Sequence, residues 1–257
     1  LLEYLTLVFD GKKSSDFGLS CANGTGGNAL YQDRFIANKN INETTIPGRS
    51  RPYFLSVSRE PIEIDLILAP TDDIQFNEEQ IKLIQQWIDR DTYTEFYFDE
   101  YPLYHYFGIM YSDSSFSHNG LGSGYFTIKI RCDSPFPYSY EITNQGLIEV
   151  TSDGLYYFLE NKGNQILQPY IQIEKIGDGL ISIMNQTNGG RQCVIDNLKD
   201  GEIITIDNEN EDISSDLDNV YHFDDHNGIW VNIVIGRNKL FFNGQCKVKL
   251  SYRYIYS

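Results

Sequence analysis

The sequence is poor in positive charge: 20 Lys and Arg stand against 36 Asp and Glu, giving a formal net charge of −16 and a pI near 4.5. Nucleic acids and anionic membranes are gripped by Lys and Arg that displace counterions from phosphates, so sequence-specific nucleic-acid binding is not expected. No basic half offsets the deficit, because residues 1–135 hold 11 basic and 19 acidic residues and residues 136–257 hold nine and 17. Apolar runs stay short of the ~18 residues that a spanning helix needs, and membrane insertion is not expected either. The opening Leu1-Leu-Glu-Tyr-Leu5 has no basic segment or small-residue cleavage site, so no signal peptide is visible. There are only four cysteines, Cys21, Cys132, Cys193 and Cys246, far apart and none in a CxxC pair. A disulfide framework or a thiolate zinc site is therefore unsupported, and reduced, buried thiols are expected.

Catalytic signatures are missing as well. There is no Gly-x-Ser-x-Gly elbow, and the four histidines at 105, 118, 222 and 226 fall in no nucleophile–base pattern. Gly24-Thr-Gly-Gly27 and Gly120-Leu-Gly-Ser-Gly124 are glycine-rich, but neither precedes a Lys-Ser/Thr pair that opens a helix, and both read as turns. The acidic run Asp207-Asn-Glu-Asn-Glu-Asp212 lacks the central Gly and distant Glu of a calcium loop, and reads as a solvated hairpin tip. The most metal-like cluster is His222-Phe-Asp-Asp-His226, which stands just before the turn dipeptide Asn227-Gly228 and reads as an exposed turn. No catalytic, cofactor-binding or metal residue is assigned, and no cofactor is expected.

What is present favours two β-rich domains. At ~150 residues per domain, 257 residues suggest two. The hydrophobic share is 41%, and 19 Tyr and 15 Phe join abundant Ile in favouring strands. Strands are expected at Leu5–Phe9, Tyr53–Arg59, Ile62–Leu68, Glu95–Phe98, Tyr104–Tyr111 and Gly124–Cys132, with 53–59 and 62–68 taken as a pair around Glu60-Pro61. Between the first two lies a long polar excursion, residues 21–52. The one convincing helix covers 77–90, with Asn77 as N-cap, Gln80 completing a capping box, and Ile81, Ile84, Ile88, Leu83 and Trp87 forming a broad apolar face. The segment Asp133-Ser-Pro-Phe-Pro-Tyr-Ser-Tyr140 reads as a boundary, dividing 1–135 from 136–257. Beyond it, short strands at 155–159, 170–176, 180–184, 192–195, 203–206, 229–235 and 248–256 alternate with Gly- and Asn-rich turns, as in a β-sandwich.

Several blocks, taken in order, resemble the distal tail protein (Dit) family of siphophages. They include Ser14-Ser-Asp-Phe-Gly-Leu19, Ile46-Pro-Gly-Arg49, Pro52-Tyr-Phe54, Arg59-Glu-Pro61 and Ile84-Gln-Gln-Trp87-Ile88. His118-Asn-Gly120, Gly124-Tyr-Phe126 and Arg131-Cys-Asp-Ser-Pro135 follow. In the second half come Asn161 and Gly163, Gln168-Pro169, Gly201 through Asp207, and Trp230 through Gly236 with Asn238. The resemblance implies a mainly β protein: an N-terminal β-sandwich or barrel-like domain with one packed helix, then a C-terminal galectin-like (jelly-roll) β-sandwich. It implies a virion protein, made in the bacterial cytoplasm, that forms a homo-hexameric hub ring at the distal end of the tail. Its expected partners are the tail tube protein, the tail-associated or tip protein and a receptor-binding protein, with residues 21–52 reaching a neighbouring subunit. The ring would leave a central channel for DNA. A different reading is a carbohydrate-binding sandwich for host cell-wall glycans, in which Trp230, Tyr221 and Phe223 stack on sugar rings. The alternation of Trp230-Val-Asn-Ile-Val-Ile235 favours Trp230 as a core residue instead. Enzymatic activity is not expected.

Overall fold

The computed structural model describes residues 5–22, 39–71, 76–111, 114–119 and 123–257. The chain divides into two compact units, one running to Tyr138 and the other spanning Ser139–Tyr256.

In the first unit, β1 (Leu7–Phe9) turns at Asp10-Gly11 into β2 (Lys12–Lys13). Both turn residues have positive φ, 51° and 70°, which matches the twist of a two-residue hairpin and suits an Asp-Gly pair. Next come β3 (Leu19–Ala22), β4 (Lys39–Thr44), β5 (Tyr53–Arg59) and β6 (Glu63–Pro70). The helix α1 (Glu78–Ile88) leads to β7 (Thr94–Phe98), β8 (His105–Met110), β9 (Ser115–His118) and β10 (Gly124–Cys132). An eight-stranded antiparallel sheet runs β2-β1-β7-β8-β10-β6-β3, with β9 added to β10. Gly124 faces His118 in that last pairing, and a Cβ there would fall 2.1 Å from the Ser117 carbonyl oxygen, so only glycine fits.

The expected capping box forms: Gln80 N–H donates to Asn77 Oδ1 at 2.8 Å, and Asn77 N–H donates to Gln80 Oε1 at 3.0 Å. Ile84, Trp87 and Ile88 are buried against the sheet with Leu7, Phe9, Phe96 and Ile128. Trp87 Nε1–H reaches the Phe9 carbonyl at 2.9 Å, and its ring stacks on Phe17 at 4.6 Å. Leu83, expected on the packed face, is half exposed instead, because the face is narrower than the apolar pattern implies.

The second unit is a sandwich of two antiparallel sheets. Its strands are β11 (Ile142–Thr143), β12 (Ile148–Val150), β13 (Leu155–Asn161), β14 (Tyr170–Lys175) and β15 (Gly179–Asn185). They continue as β16 (Gln192–Leu198), β17 (Ile203–Asp207), β18 (Asp212–Ser215), β19 (Gly236–Asn243) and β20 (Cys246–Tyr252). One sheet runs β11-β20-β14-β17-β18 with β12 beside β20, and the other runs β13-β19-β15-β16. Alternate residues point inward, as the period of a strand requires. Ile171 and Ile173, Ile204 and Ile206, and Val248 and Leu250 from the first sheet share one core with Ile181, Ile183, Ile195, Leu240 and Phe242 from the second. The molecule is thus mainly β, with one α-helix among the described residues.

One expectation shifts. The stretch 229–235 is extended but joins neither sheet; its one ladder contact is the bridge between Ile233 and Leu167. The strand lies one step later, at β19, whose inward positions are Asn238, Leu240 and Phe242. All four cysteines are free and buried, and burial pushes the Cys21, Cys132 and Cys193 thiols up to about 12 and Cys246 to about 11.

Candidate functional site

The antiparallel ribbon of β4 and β5 belongs to none of the larger sheets: among the described residues these strands pair only with each other. Ile41 lies directly opposite Val57 and Asn42 opposite Ser56; the register then shifts, leaving Leu55 as the extra residue, with Phe54 opposite Glu43 and Tyr53 opposite Thr44. The ribbon thus carries a patch of apolar side chains, Ile41 and Val57 on one face with Phe54 and Leu55 beside them at the shift. Yet every residue of both strands is exposed, with Ile41 at 62% and Leu55 at 64%. On the other face, Asn42 Nδ2 donates to Ser56 Oγ at 3.0 Å. Near the ribbon's ends, Asn40 Nδ2 donates to Glu60 at 2.8 Å, and the Arg49 guanidinium caps the Tyr53 ring at 4.2 Å. A two-stranded ribbon is marginal alone in water, and an uncovered apolar face marks an interaction surface. The sequence places residues 39–44 inside a polar loop and pairs 53–59 with 62–68. Instead β5 turns back on β4, while β6 pairs with β10 and β3. Pro61 accounts for the separation: it offers no N–H and holds the residue before it extended, so no hairpin closes there.

The cluster 222–226 does turn, with Phe223 and Asp224 exposed, but His222 is buried and His226 half-buried. His222 is 3% exposed and lies between two carboxylates: Nε2 is 2.6 Å from Glu202 Oε1, and Nδ1 is 2.9 Å from Asp225 Oδ2. Glu202, itself fully buried, also accepts from Ser215 Oγ at 2.6 Å and from Lys199 N–H at 2.8 Å. Burial works against a charged imidazole, but the two carboxylates outweigh it and hold His222 above its ordinary value. His226 turns elsewhere, its ring 4.4 Å from that of Trp230 and its Nε2 3.5 Å from Cys193 Sγ. Burial lowers the His226 value and pushes the Cys193 thiol up to about 12, so the thiol stays protonated and is no thiolate nucleophile. Among the described residues no group of three His, Cys, Asp or Glu is placed to hold a metal ion.

Beside this cluster the segment Gly228–Asn232 borders a cavity of about 320 Å³, lined also by Gln168, Asn188, Arg191 and Glu211. Buried asparagine side chains hold the segment where a strand ladder would otherwise act. Val231 N–H donates to Asn208 Oδ1 at 2.7 Å, and Val234 N–H donates to Asn238 Oδ1 at 3.0 Å. The Asn232 and Ile233 carbonyls accept from Asn185 and Asn161 Nδ2 at 2.8 and 3.2 Å. Trp230 is half-buried: it packs on the sandwich core and also lines the cavity. Tyr221 and Phe223 are 81% and 69% exposed and lie outside the cavity lining.

The remaining motifs are quickly placed. Residues 208–211 join β17 to β18, with Asn208 buried beneath the otherwise exposed tip. Gly24–Gly27 and residues 120–122 lie outside the described residues. His105 sits 2.7 Å from Glu95 in the first unit, and His118 stacks on Phe116, neither near the other two histidines in sequence or unit.

Comparison with known proteins identifies the chain's relatives. Residues 4–134 match the family model for a phage tail protein N-terminal domain, and residues 138–252 match that for a phage tail C-terminal domain. The SPbeta prophage-derived protein YomH of Bacillus subtilis (strain 168) is 29% identical over 250 residues, covering 97% of this chain and 96% of that one. SPP1 Dit, described as a paradigm of the hub adsorption apparatus in phages that infect Gram-positive bacteria, superposes with a TM-score of 0.67 at 14% identity, covering 99% of this chain and all of that one. A chain of the phage p2 baseplate in its activated conformation superposes with a TM-score of 0.54 at 11% identity, covering 96% and 97%. The structures establish the fold and the family models establish the family: the chain belongs to the phage tail proteins, through both of its domains, and has the fold of a distal tail protein.

Proposed function

We propose that this tail protein is the distal hub of a siphophage or prophage tail, six copies closing into a ring that joins the tail tube to the tip or baseplate. The observation that carries the reading is the β4–β5 ribbon, whose exposed apolar side chains find no cover among the described residues. Ile41, Leu55 and Val57 gain about 1.5–3 kcal/mol each when an adjacent subunit covers them. Six such contacts in a closed ring leave no ribbon exposed. The N-terminal domain, residues 1–135, closes the ring, and the C-terminal domain, residues 136–257, carries the receptor-binding or peripheral components. The relation to SPP1 Dit and the p2 baseplate supports a partnership with the tail tube, the tip protein and a receptor-binding protein. The role is non-enzymatic, and the chain uses neither metal nor cofactor. An acidic protein of net charge −16 suits a channel through which DNA passes without sticking, since like charges repel at its wall. The subunit is made in the bacterial cytoplasm before incorporation.

The test is to charge the apolar face. The double variant Ile41→Lys/Val57→Lys alters two exposed, directly paired positions, so both units should melt as before while the ring is lost from electron micrographs. Ser58→Lys, on the opposite face, should leave the ring intact. A ring that survives the double substitution would remove the ribbon from the interface.

A further inference from the structure

We propose that the cavity beside Trp230 in the second unit is a binding site for a neutral pyranose sugar unit. Its volume of about 320 Å³ lies at the small end of the range for small-molecule sites, suited to one or two sugar rings. The half-buried Trp230 supplies an aromatic wall, the surface against which the C–H face of a pyranose packs. Around it stand the hydrogen-bonding groups that hydroxyls require. Arg191, Asn188, Asn232 and Glu211 all line the cavity, and their side chains make no hydrogen bond or ion pair with any described residue. Together they offer guanidinium and amide donors alongside amide and carboxylate acceptors, the mixed inventory that a polyol with alternating donors and acceptors satisfies.

The site is also rigid. Gly228–Asn232 is pinned by Asn185 and Asn208, both buried, so little ordering entropy remains to be lost on binding. Charge selects among saccharides. One cation and one carboxylate line the cavity, and residues 136–257 carry nine basic against 17 acidic residues, so a polyanionic glycan is repelled where a neutral one is not. Cys193 also lines the cavity; burial pushes its thiol up to about 12, so it offers binding surface and no nucleophile.

The chain contains two tryptophans, which makes the test self-controlled. Trp87 is buried in the first unit with its indole N–H bonded to Phe9, and Trp230 borders the cavity. In ¹⁵N-labelled full-length protein the two indole N–H resonances are assigned with Trp230→Phe, then followed during titration with methyl glucoside, methyl galactoside, N-acetylglucosamine and a glycerol phosphate oligomer. At least one neutral sugar should shift the Trp230 resonance saturably, with a Kd on the order of 1 mM, leaving Trp87 unmoved. Arg191→Ala and Glu211→Gln alter exposed side chains without partners and should weaken that Kd about tenfold or more while the rest of the spectrum is unchanged. A Trp230 resonance that ignores every neutral sugar, that responds to the glycerol phosphate oligomer alone, or that shifts equally in both variants would overturn the proposal.

Discussion

Replacing His222 with Leu removes a cation from between two carboxylates and leaves Glu202, whose side chain is fully buried, as an uncompensated charge. Breaking one partner of a buried ion pair costs about 3–5 kcal/mol. Asp225 contributes less than Glu202, because its side chain is 24% exposed and partly screened by water. For a unit of this size that loss corresponds to a fall of roughly 10–20 °C in Tm. The pH dependence carries the sharper signature. Burial opposes protonation of His222 but its carboxylate partners prevail, so its value in the folded state lies above 6.5; its stabilisation is complete below pH 6.5 and disappears as pH rises through that raised value. Burial likewise raises Glu202, but hydrogen bonds from Ser215, Lys199 and His222 prevail and hold it below 4.5; its stabilisation is complete above pH 4.5 and disappears as pH falls through the lowered value. The cluster thus stabilises the second unit most fully between pH 4.5 and 6.5. Amide hydrogen exchange on the full chain reads each unit separately, through peptides from 5–138 and from 139–256. His222→Leu should lose protection only in the second set, by an amount that shrinks above the folded His222 value. Adding Glu202→Gln to it should restore part of the loss by removing the orphaned charge. A loss below about 1 kcal/mol, or one equal at pH 5 and pH 9, would refute the assignment of a buried imidazolium.

Other outcomes follow from the same structure. Asn208→Ala leaves the Val231 N–H and the Pro169 carbonyl without their partners, at about 1–3 kcal/mol for each group, and should expose 229–235 to exchange before the sheets open. Gly124→Ala places a methyl group 2.1 Å from the Ser117 carbonyl and should disrupt the β9–β10 pairing, seen as lost protection at 115–118 and a lower Tm. Trp87→Phe removes the hydrogen bond to Phe9 and part of the stack on Phe17, and should cost about 1–3 kcal/mol in denaturant titration, confined to the first unit.

The elements that could be read from the sequence are those whose inward positions are all apolar. Ile64, Leu66 and Leu68 in β6, Ile171 and Ile173 in β14, and Ile204 and Ile206 in β17 repeat at a period of two, and the capping box of α1 declares its start. Where asparagine takes an inward position the pattern misleads. Asn238 interrupts the apolar face of β19, so that strand was missed, while Val231, Ile233 and Ile235 mimic a strand just before it. Ile235 proves 57% exposed, and the main chain there bonds to asparagine side chains contributed from positions as distant as Asn161. The His222 cluster was hidden for a similar reason, since its decisive partner Glu202 stands 20 residues away on the β17 side of the sandwich. The apolar run Tyr53-Phe-Leu55 followed by Val57 is plain in the sequence; that no described residue covers it is a property of topology, visible only once β5 is seen to pair with β4 alone.

The hub account stands or falls on self-assembly. Light scattering over a concentration series, with electron micrographs of the largest species, should reveal a ring of six 29.6-kDa subunits with an open centre. A 29.6-kDa monomer at every concentration, persisting when the tail tube protein is added, would contradict it.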